Sequence, residues 1–231
     1  MRFPILLKTQ DLNRSLYTTG LKSAILLLTL FLFTGCIEIV EDITVNADRS
    51  GTVSYRLETS GAGGFINGLA SLLDVSVEDN VRREAEKLIR ALQDQEGISN
   101  IGYNLGGRSG IYFLQFDFSN YRSFNDALYA ISGNQKTFFS PGYIKIGRSR
   151  IRKLNFSPLL NKYIQKEGLE LPSPLITDNI NYKSVIRTPA DIKRVRSGVT
   201  ANQKSPRQTM QKFMLTEVIN GEVNTGIKVR Y

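Results

Sequence analysis

The sequence of 231 residues contains no histidine and a single cysteine. The missing histidine removes the commonest general base, the usual proton shuttle and the commonest metal ligand. A single cysteine excludes an intramolecular disulfide and a cysteine-based zinc site. The chain also lacks the Gly-x-Ser-x-Gly sequence of many serine hydrolases and the Gly-Lys-Ser/Thr ending of a phosphate-binding loop. The sequence therefore predicts no metal and no cofactor.

The charges of the chain are divided unevenly along its length. Residues 36–140 contain 9 basic and 14 acidic side chains, whereas residues 141–231 contain 17 basic and 6 acidic ones. The formal net charge of +9 therefore belongs mainly to the C-terminal part. A hydrophobic content of 41% is ordinary for a globular protein, so a folded domain is expected.

The first 35 residues have the composition of a secretory signal peptide. Four basic side chains precede Ser23, a ten-residue apolar run extends from Ala24 to Phe33, and Thr34 and Gly35 precede the cysteine, Cys36. A helix of ten residues spans about 15 Å, roughly half of the hydrocarbon core, so this run alone is too short to cross a membrane.

The sequence around Cys36 resembles the lipobox of bacterial lipoproteins, which have a type II signal peptide. Thr34, Gly35 and Cys36 fit that pattern, and Phe33 stands where leucine is usual. The resemblance implies that residues 1–35 are cleaved off. It also implies that Cys36 carries a diacylglyceryl group, with acyl chains such as palmitate, which anchors the chain in a membrane of the cell envelope.

The same resemblance implies that the folded part lies outside the cytoplasm. Ile37 follows the cysteine in place of the aspartate that retains some lipoproteins in the inner membrane, which favours the outer membrane. The alternative is an uncleaved anchor from Leu21 to Val40, which would have to bury Glu38.

Hydrophobic periodicity predicts an α+β fold with antiparallel sheets, helices packed on one face and an N-terminal β-hairpin. The hairpin turns at Asp48-Arg49-Ser50-Gly51. The aromatic strand at 111–118 is apolar on both faces and is expected to be central. Further strands are predicted at 98–105, 137–139, 142–146, 150–156, 181–187, 191–195, 209–215 and 223–231, and helices at 65–73, 77–95, 120–131 and 157–166.

The predicted organisation has three parts. Residues 1–35 form the signal peptide, 36–170 an α+β domain, and 171–231 a β-rich C-terminal segment packed on the same domain after the linker Leu171-Pro172-Ser173-Pro174. This layout resembles a broad group of small bacterial envelope lipoproteins, through the Asp48–Thr52 turn and the segment Arg187–Ile192. That resemblance implies a role in the envelope without supplying an activity.

Basic residues of the C-terminal part fall into two clusters. Arg148, Arg150 and Arg152 share one parity of a predicted strand beside Lys145 and Lys153. A second cluster contains Lys183, Arg187, Lys193, Arg194 and Arg196. At a bacterial membrane, such a surface could contact anionic lipid headgroups or an acidic envelope protein, whereas an exported chain does not meet nucleic acid. The alternative interpretation is a solvated face that aids solubility.

We therefore expect a membrane-anchored, non-enzymatic binding or structural module. The opposing hypothesis is a lipid-anchored hydrolase that uses carboxylates or a Ser/Lys pair. A serine within hydrogen-bond reach of a lysine, or a pocket with two buried acids, would favour the hydrolase. A flat basic face would favour the binding module. Asp117, inside the aromatic strand, is the acid whose burial most needs checking.

Overall fold

The computed structural model describes residues 37–59, 86–105, 111–131, 137, 140–158, 160–161, 178 and 180–231. Helices in this part of the chain are α1 (86–93), α2 (Tyr121–Ile131) and α3 (Leu215–Ile219), and residues 157–158 and 160–161 are helical as well. The strands are β1 (Ile37–Val45), β2 (Gly51–Thr59), β3 (Ile98–Leu105), β4 (Ile111–Phe118), β5 (Ile144–Gly147), β6 (Arg150–Lys153), β7 (Ile180–Arg187), β8 (Arg194–Ser197), β9 (Ala201–Ser205), β10 (Gln208–Met214) and β11 (Ile227–Arg230).

The strands form two sheets. One has seven strands in the order β3-β4-β2-β1-β7-β10-β9, and the other has four in the order β5-β6-β11-β8. Every pairing is antiparallel except that of β1 with β7, which is parallel. Because β7, β9 and β10 complete the large sheet and β8 and β11 complete the small one, residues 180–231 share both sheets with the N-terminal part.

The β1–β2 hairpin closes through a turn that its sequence suits well. Arg49 adopts a left-handed conformation with φ of 74°, and the Asp48 carboxylate accepts hydrogen bonds from the amide and the hydroxyl of Ser50 at 3.0 and 2.7 Å. At Gly51 a Cβ atom would lie 2.1 Å from the Thr44 carbonyl oxygen and 2.5 Å from the Phe118 ring. Only glycine therefore fits where the hairpin passes β4.

The main core lies between the two sheets, with α2 at one side. Phe116, Phe118 and Phe124 are almost fully buried, and the Phe118 and Phe124 rings stack with centroids 5.1 Å apart. The small sheet contributes alternate apolar side chains to this core: Ile144, Ile146, Ile151, Ile227 and Val229. Full burial of each such side chain contributes about 1.5–3 kcal/mol, so packing between the layers accounts for the fold.

The predicted α+β class, the antiparallel sheets and the N-terminal hairpin are confirmed. The layer opposite the large sheet contains the four-stranded sheet as well as α2, rather than helices alone. Strand β4 is paired on both sides, but the middle of the large sheet is β1, because the parallel partner β7 extends the sheet beyond it. Strand β8 lies at 194–197 instead of 191–195, and β9 and α3 were not predicted.

Some predictions fall outside the described residues. These are the signal peptide and Cys36, the helix at 65–73, the start of the helix at 77–95, the strand at 137–139, the end of the helix at 157–166 and the linker at 171–174.

Candidate functional site

The exposed face of the four-stranded sheet is almost entirely cationic. Its four strands present eight side-chain positions to solvent, and seven of these are lysine or arginine while Gly147 is the eighth. We call these seven residues the basic face: Lys145, Arg150, Arg152, Arg194, Arg196, Lys228 and Arg230. The alternation that buries apolar side chains in the core directs the charged ones outward.

The strand register aligns the basic face in two rows. One row runs across β5, β6, β11 and β8 as Lys145, Arg152, Lys228 and Arg196. The second row runs across the same strands as Gly147, Arg150, Arg230 and Arg194. Side chains directly opposite each other on neighbouring strands lie about 5 Å apart, and like charges in such pairs destabilise the sheet. The rows contain five opposed cation pairs. Folding stability therefore does not explain why these cations are aligned.

Within the described part of the chain, no ion pair or side-chain hydrogen bond neutralises any residue of the basic face. A depression of about 700 Å³ lies over the sheet, and no carboxylate is among its lining residues. Tyr121 and Ser149 border it together with the cations. The basic face therefore offers several unpaired guanidinium and ammonium groups to one anionic surface or ligand.

Cations on the opposite side of the molecule are placed differently. On the outer face of the large sheet, Lys183 and Lys212 lie 3.8 and 3.6 Å from Glu38. Arg187 forms a two-pronged pair with Asp42, at 3.0 and 2.7 Å. Among the described residues, cations without a partner are thus most numerous on the small sheet.

The sequence-predicted basic residues divide between these surfaces. Four residues of the predicted surface, Arg150, Arg152, Arg194 and Arg196, lie on the basic face. Arg148 lies in the turn between β5 and β6 instead of on a strand, and Lys193 lies just before β8; both are exposed. Lys228 and Arg230 were missed, although their alternation with Ile227 and Val229 is visible in the sequence. What the sequence does not give is the pairing of β11 between β6 and β8.

A buried polar cluster lies directly beneath this sheet. The side chains of Glu41 on β1 and Lys153 on β6 are both 0% exposed, and Lys153 Nζ lies 2.5 Å from Glu41 Oε2. The Ser184 hydroxyl, on β7, donates to the same carboxylate oxygen at 2.8 Å and accepts from Lys153 Nζ at 2.6 Å. The Tyr143 hydroxyl donates to Glu41 Oε1 at 2.8 Å.

Aromatic rings enclose the Lys153 ammonium group. It lies 5.4 Å from the Tyr143 ring centroid and 5.8 Å from those of Phe156 and Tyr182. Such contacts favour a cation over an aromatic face. Each polar atom that burial removes from water is thus compensated within the cluster, which joins the two sheets at the centre of the fold.

The cluster shifts the pKa values of its members. Burial alone would raise the pKa of Glu41, but the charge of Lys153 and the hydrogen bonds from Lys153, Ser184 and Tyr143 outweigh it and lower that pKa. Burial, together with the negative charge of Glu41, raises the pKa values of Tyr55, Tyr143 and Tyr182 well above 10.0. The carboxylate therefore stays ionised and the phenols stay neutral around pH 7.

The arrangement contains a Ser/Lys pair within hydrogen-bond distance, which is the feature expected of the hydrolase alternative. A serine–lysine nucleophile requires a lysine that accepts the proton of the serine. Here the Lys153 ammonium donates to Ser184 and to Glu41, while the Ser184 hydroxyl donates to Glu41. Ser184 is 2% exposed, so a substrate could not reach its oxygen without opening the core.

Asp117 is partly buried and serves the architecture of the large sheet. Its carboxylate accepts hydrogen bonds from Thr52 on β2 at 2.6 Å and from Asn100 on β3 at 2.7 Å. Asn100 lies in a register irregularity between Ser99 and Gly102, and its φ is 51°. Asp117 therefore ties three strands together at a bulge.

The described residues include neither a candidate metal centre nor a helix that could span a membrane. They contain no group of three or more cysteine, aspartate or glutamate residues arranged to hold a metal ion. None of the helices in these segments has the length and apolarity needed to cross a bilayer.

Comparison with known proteins gives one remote structural similarity. No protein-family model matches the sequence, and no curated protein matches it. The NMR structure of the folded domain of LppM from Mycobacterium tuberculosis is similar to this chain with a TM-score of 0.39 and 10% sequence identity. The similarity covers 85% of this chain and 91% of that one. A likeness at this level carries no argument about function.

Proposed function

We propose that this chain is a lipid-anchored envelope module that acts without catalysis, by contact between its basic face and an anionic partner. The observation that carries the proposal is the pair of cation rows on the small sheet, since seven cations with no partner among the described residues share one face. The anchor is proposed from the lipobox-like sequence ending at Cys36. A contact role is consistent with a depression of about 700 Å³ that is lined mainly by these cations.

Aligned cations disfavour the alternative in which the basic residues only aid solubility. Solubility needs charge but no alignment, and three cations of the large sheet, Lys183, Arg187 and Lys212, are paired with carboxylates. Opposed cations cost stability, and an anionic partner would offset this cost by neutralising them. Five of the seven side chains are arginine, which binds carboxylate and phosphate groups through two parallel hydrogen bonds.

The proposal is tested with the full chain, purified from bacterial membranes in a non-ionic detergent, on an immobilised polyanion such as heparin. Wild type should be retained and should elute at a salt concentration well above that of the Arg152→Gln/Arg196→Gln variant. The matched control is Lys183→Gln/Lys212→Gln, which removes the same number of charges from the large sheet and should elute close to wild type. Equal shifts for both variants would mean that net charge alone governs retention, and would overturn the proposal.

A hydrolase remains the second candidate function because Ser184 Oγ lies 2.6 Å from Lys153 Nζ. The two hypotheses differ in a fluorophosphonate labelling experiment, in which an activated serine becomes covalently modified. We expect no labelling of the folded chain, since Ser184 is enclosed and directs its hydrogen to Glu41. Labelling that disappears in Ser184→Ala would establish the hydrolase.

A further inference from the structure

We infer that the anionic partner of the basic face is the layer of phosphate headgroups of the membrane that holds Cys36, and that this contact orients the domain. The inference rests on the proposed function and identifies the partner within it. Three observations favour a lipid surface over an acidic protein: the uniform charge of the face, the position of the anchor, and the unequal distribution of unpaired charge over the molecule.

The basic face matches a surface of uniform negative charge. Within the described residues its two rows contain no carboxylate and no apolar side chain among the outward positions. Protein interfaces usually surround an apolar centre with mixed polar groups, which this face does not offer. A headgroup layer requires only repeated cations, and each one near such a surface is worth about a fivefold gain in binding.

The anchor brings the face close to that layer. Strand β1 begins at Ile37, the residue directly after Cys36, so no linker separates the domain from the lipid. Lys153 pairs with Glu41, four residues along β1, and Arg152 adjoins Lys153. Four residues of β1 at about 3.3 Å each, combined with sheets about 10 Å apart, place the backbone of Lys153 roughly 17 Å from Ile37. Arg152 is the adjacent residue on the same strand. The lipid on Cys36 thus keeps the basic face at a high local concentration of headgroups, which the face would otherwise have to meet by free diffusion.

Unpaired charge is distributed unequally between the two sides of the molecule. On the outer face of the large sheet, Glu38 and Asp42 pair with three cations of β7 and β10, whereas the small sheet carries seven cations without a described partner. An anionic surface therefore attracts one side of the domain more strongly than the other. Because the lipid already holds the chain at the membrane, the additional attraction determines how the domain is oriented on the membrane and not whether it stays bound.

The test reconstitutes the full lipidated chain into vesicles of phosphatidylcholine alone and of phosphatidylcholine mixed with phosphatidylglycerol. Cys36 is the single cysteine, so Ser149→Cys beside the basic face and Asn202→Cys on the outer side of edge strand β9 each add one free thiol for a fluorescent donor. Energy transfer to an acceptor on the lipid headgroups reports the distance of each label from the surface.

We expect phosphatidylglycerol to increase energy transfer from the Ser149→Cys label and to leave the Asn202→Cys label unchanged or farther from the surface. Adding Arg152→Gln/Arg196→Gln should reduce the equilibrium ratio of basic-face-down to other orientations by about 25-fold, at about fivefold for each charge. Lys183→Gln/Lys212→Gln should reduce it little, and high salt should abolish the effect because the charges are screened.

An unchanged Ser149→Cys signal in phosphatidylglycerol vesicles would overturn the inference. If the same protein still bound poly-glutamate in a manner sensitive to Arg152→Gln/Arg196→Gln, the proposed function would stand with an acidic protein as the partner. If neither the vesicles nor poly-glutamate responded to that variant, the proposed function would fail as well.

Discussion

At the scale of single residues, Glu41 and Lys153 are the most consequential side chains, because each would be an isolated buried charge without the other. They come from the two different sheets, and their ion pair lies at 0% exposure. Burying a charge without a partner is far more costly than forming the pair is favourable. The pair therefore specifies how the sheets are aligned more than it adds to stability.

Replacing Lys153 with methionine tests this view. The Lys153→Met variant should lose about 3–5 kcal/mol of unfolding free energy, since it leaves the Glu41 carboxylate buried without its cation. Glu41→Gln/Lys153→Met should recover most of that loss. Urea unfolding, monitored by the near-ultraviolet circular dichroism of tyrosine, measures the unfolding free energies of both variants. A loss below about 1 kcal/mol for Lys153→Met would show that the ion pair is solvated.

The pKa shifts predict a window of pH stability. Glu41 has a pKa below its ordinary 4.5 in the folded state, so its contribution is present above pH 4.5 and is lost as the pH falls through the folded-state pKa. The raised pKa values of Tyr55, Tyr143 and Tyr182 give a contribution to folding stability that is complete below pH 10.0. This contribution is lost as the pH rises through the raised pKa values.

Tyrosinate absorbance measures the alkaline side of this window. The chain has 10 tyrosines and no tryptophan, so the signal belongs to tyrosine alone. We expect Tyr55, Tyr143 and Tyr182 to ionise late, together with unfolding. A single smooth titration of all tyrosines, without a late step, would contradict the buried cluster.

The sequence contained a signal for one half of this cluster. Glu41 shares its parity with Ile39 and Ile43, so a carboxylate stands where the strand pattern demands an apolar side chain. The partner could not be found in the same way, because Lys153 follows Glu41 by 112 positions and belongs to a different sheet. Local periodicity assigns a side chain to a face, but it does not say which strand lies opposite.

At the scale of secondary-structure elements, the four strands of the small sheet carry the candidate site. Their alternation of apolar and charged residues is predictable from the sequence, since Ile227, Val229 and Ile151 alternate with cations. The strand order is not predictable in this way, because β11 comes from the end of the chain and pairs with both β6 and β8. The two cation rows exist only through that pairing.

Opposed cations on neighbouring strands should make the basic face a source of instability. Arg150→Thr/Arg230→Thr removes two opposed pairs and introduces a residue that favours strands, so unfolding free energy should rise by about 1 kcal/mol. Thermal or urea unfolding at low salt measures this gain. The comparison variant Lys183→Thr/Lys212→Thr also removes an opposed cation pair, but both of these lysines attract Glu38, so it should show no such gain. A loss of stability in Arg150→Thr/Arg230→Thr would mean that the arginines have stabilising partners.

At the scale of the whole molecule, both ends of the described chain enter the same structure. Strand β1 lies at the middle of the large sheet, and β11 is an inner strand of the small one. The predicted α+β class followed from the sequence, whereas the interleaving of residues 180–231 with the N-terminal strands did not, because the parallel β1–β7 pair has no local signature. The domain therefore begins at the strand that follows the proposed lipid anchor directly.

The lipid anchor is the claim on which the envelope partner and the orientation of the basic face both depend. Its most direct test is the intact mass of the chain purified from bacterial membranes, wild type beside Cys36→Ser. We predict a wild-type chain that begins at Cys36 and carries the added mass of acyl chains, with both features lost in the variant. A full-length, unmodified wild-type chain would contradict the account and would reopen the cytoplasm, with nucleic acid as the first partner to test.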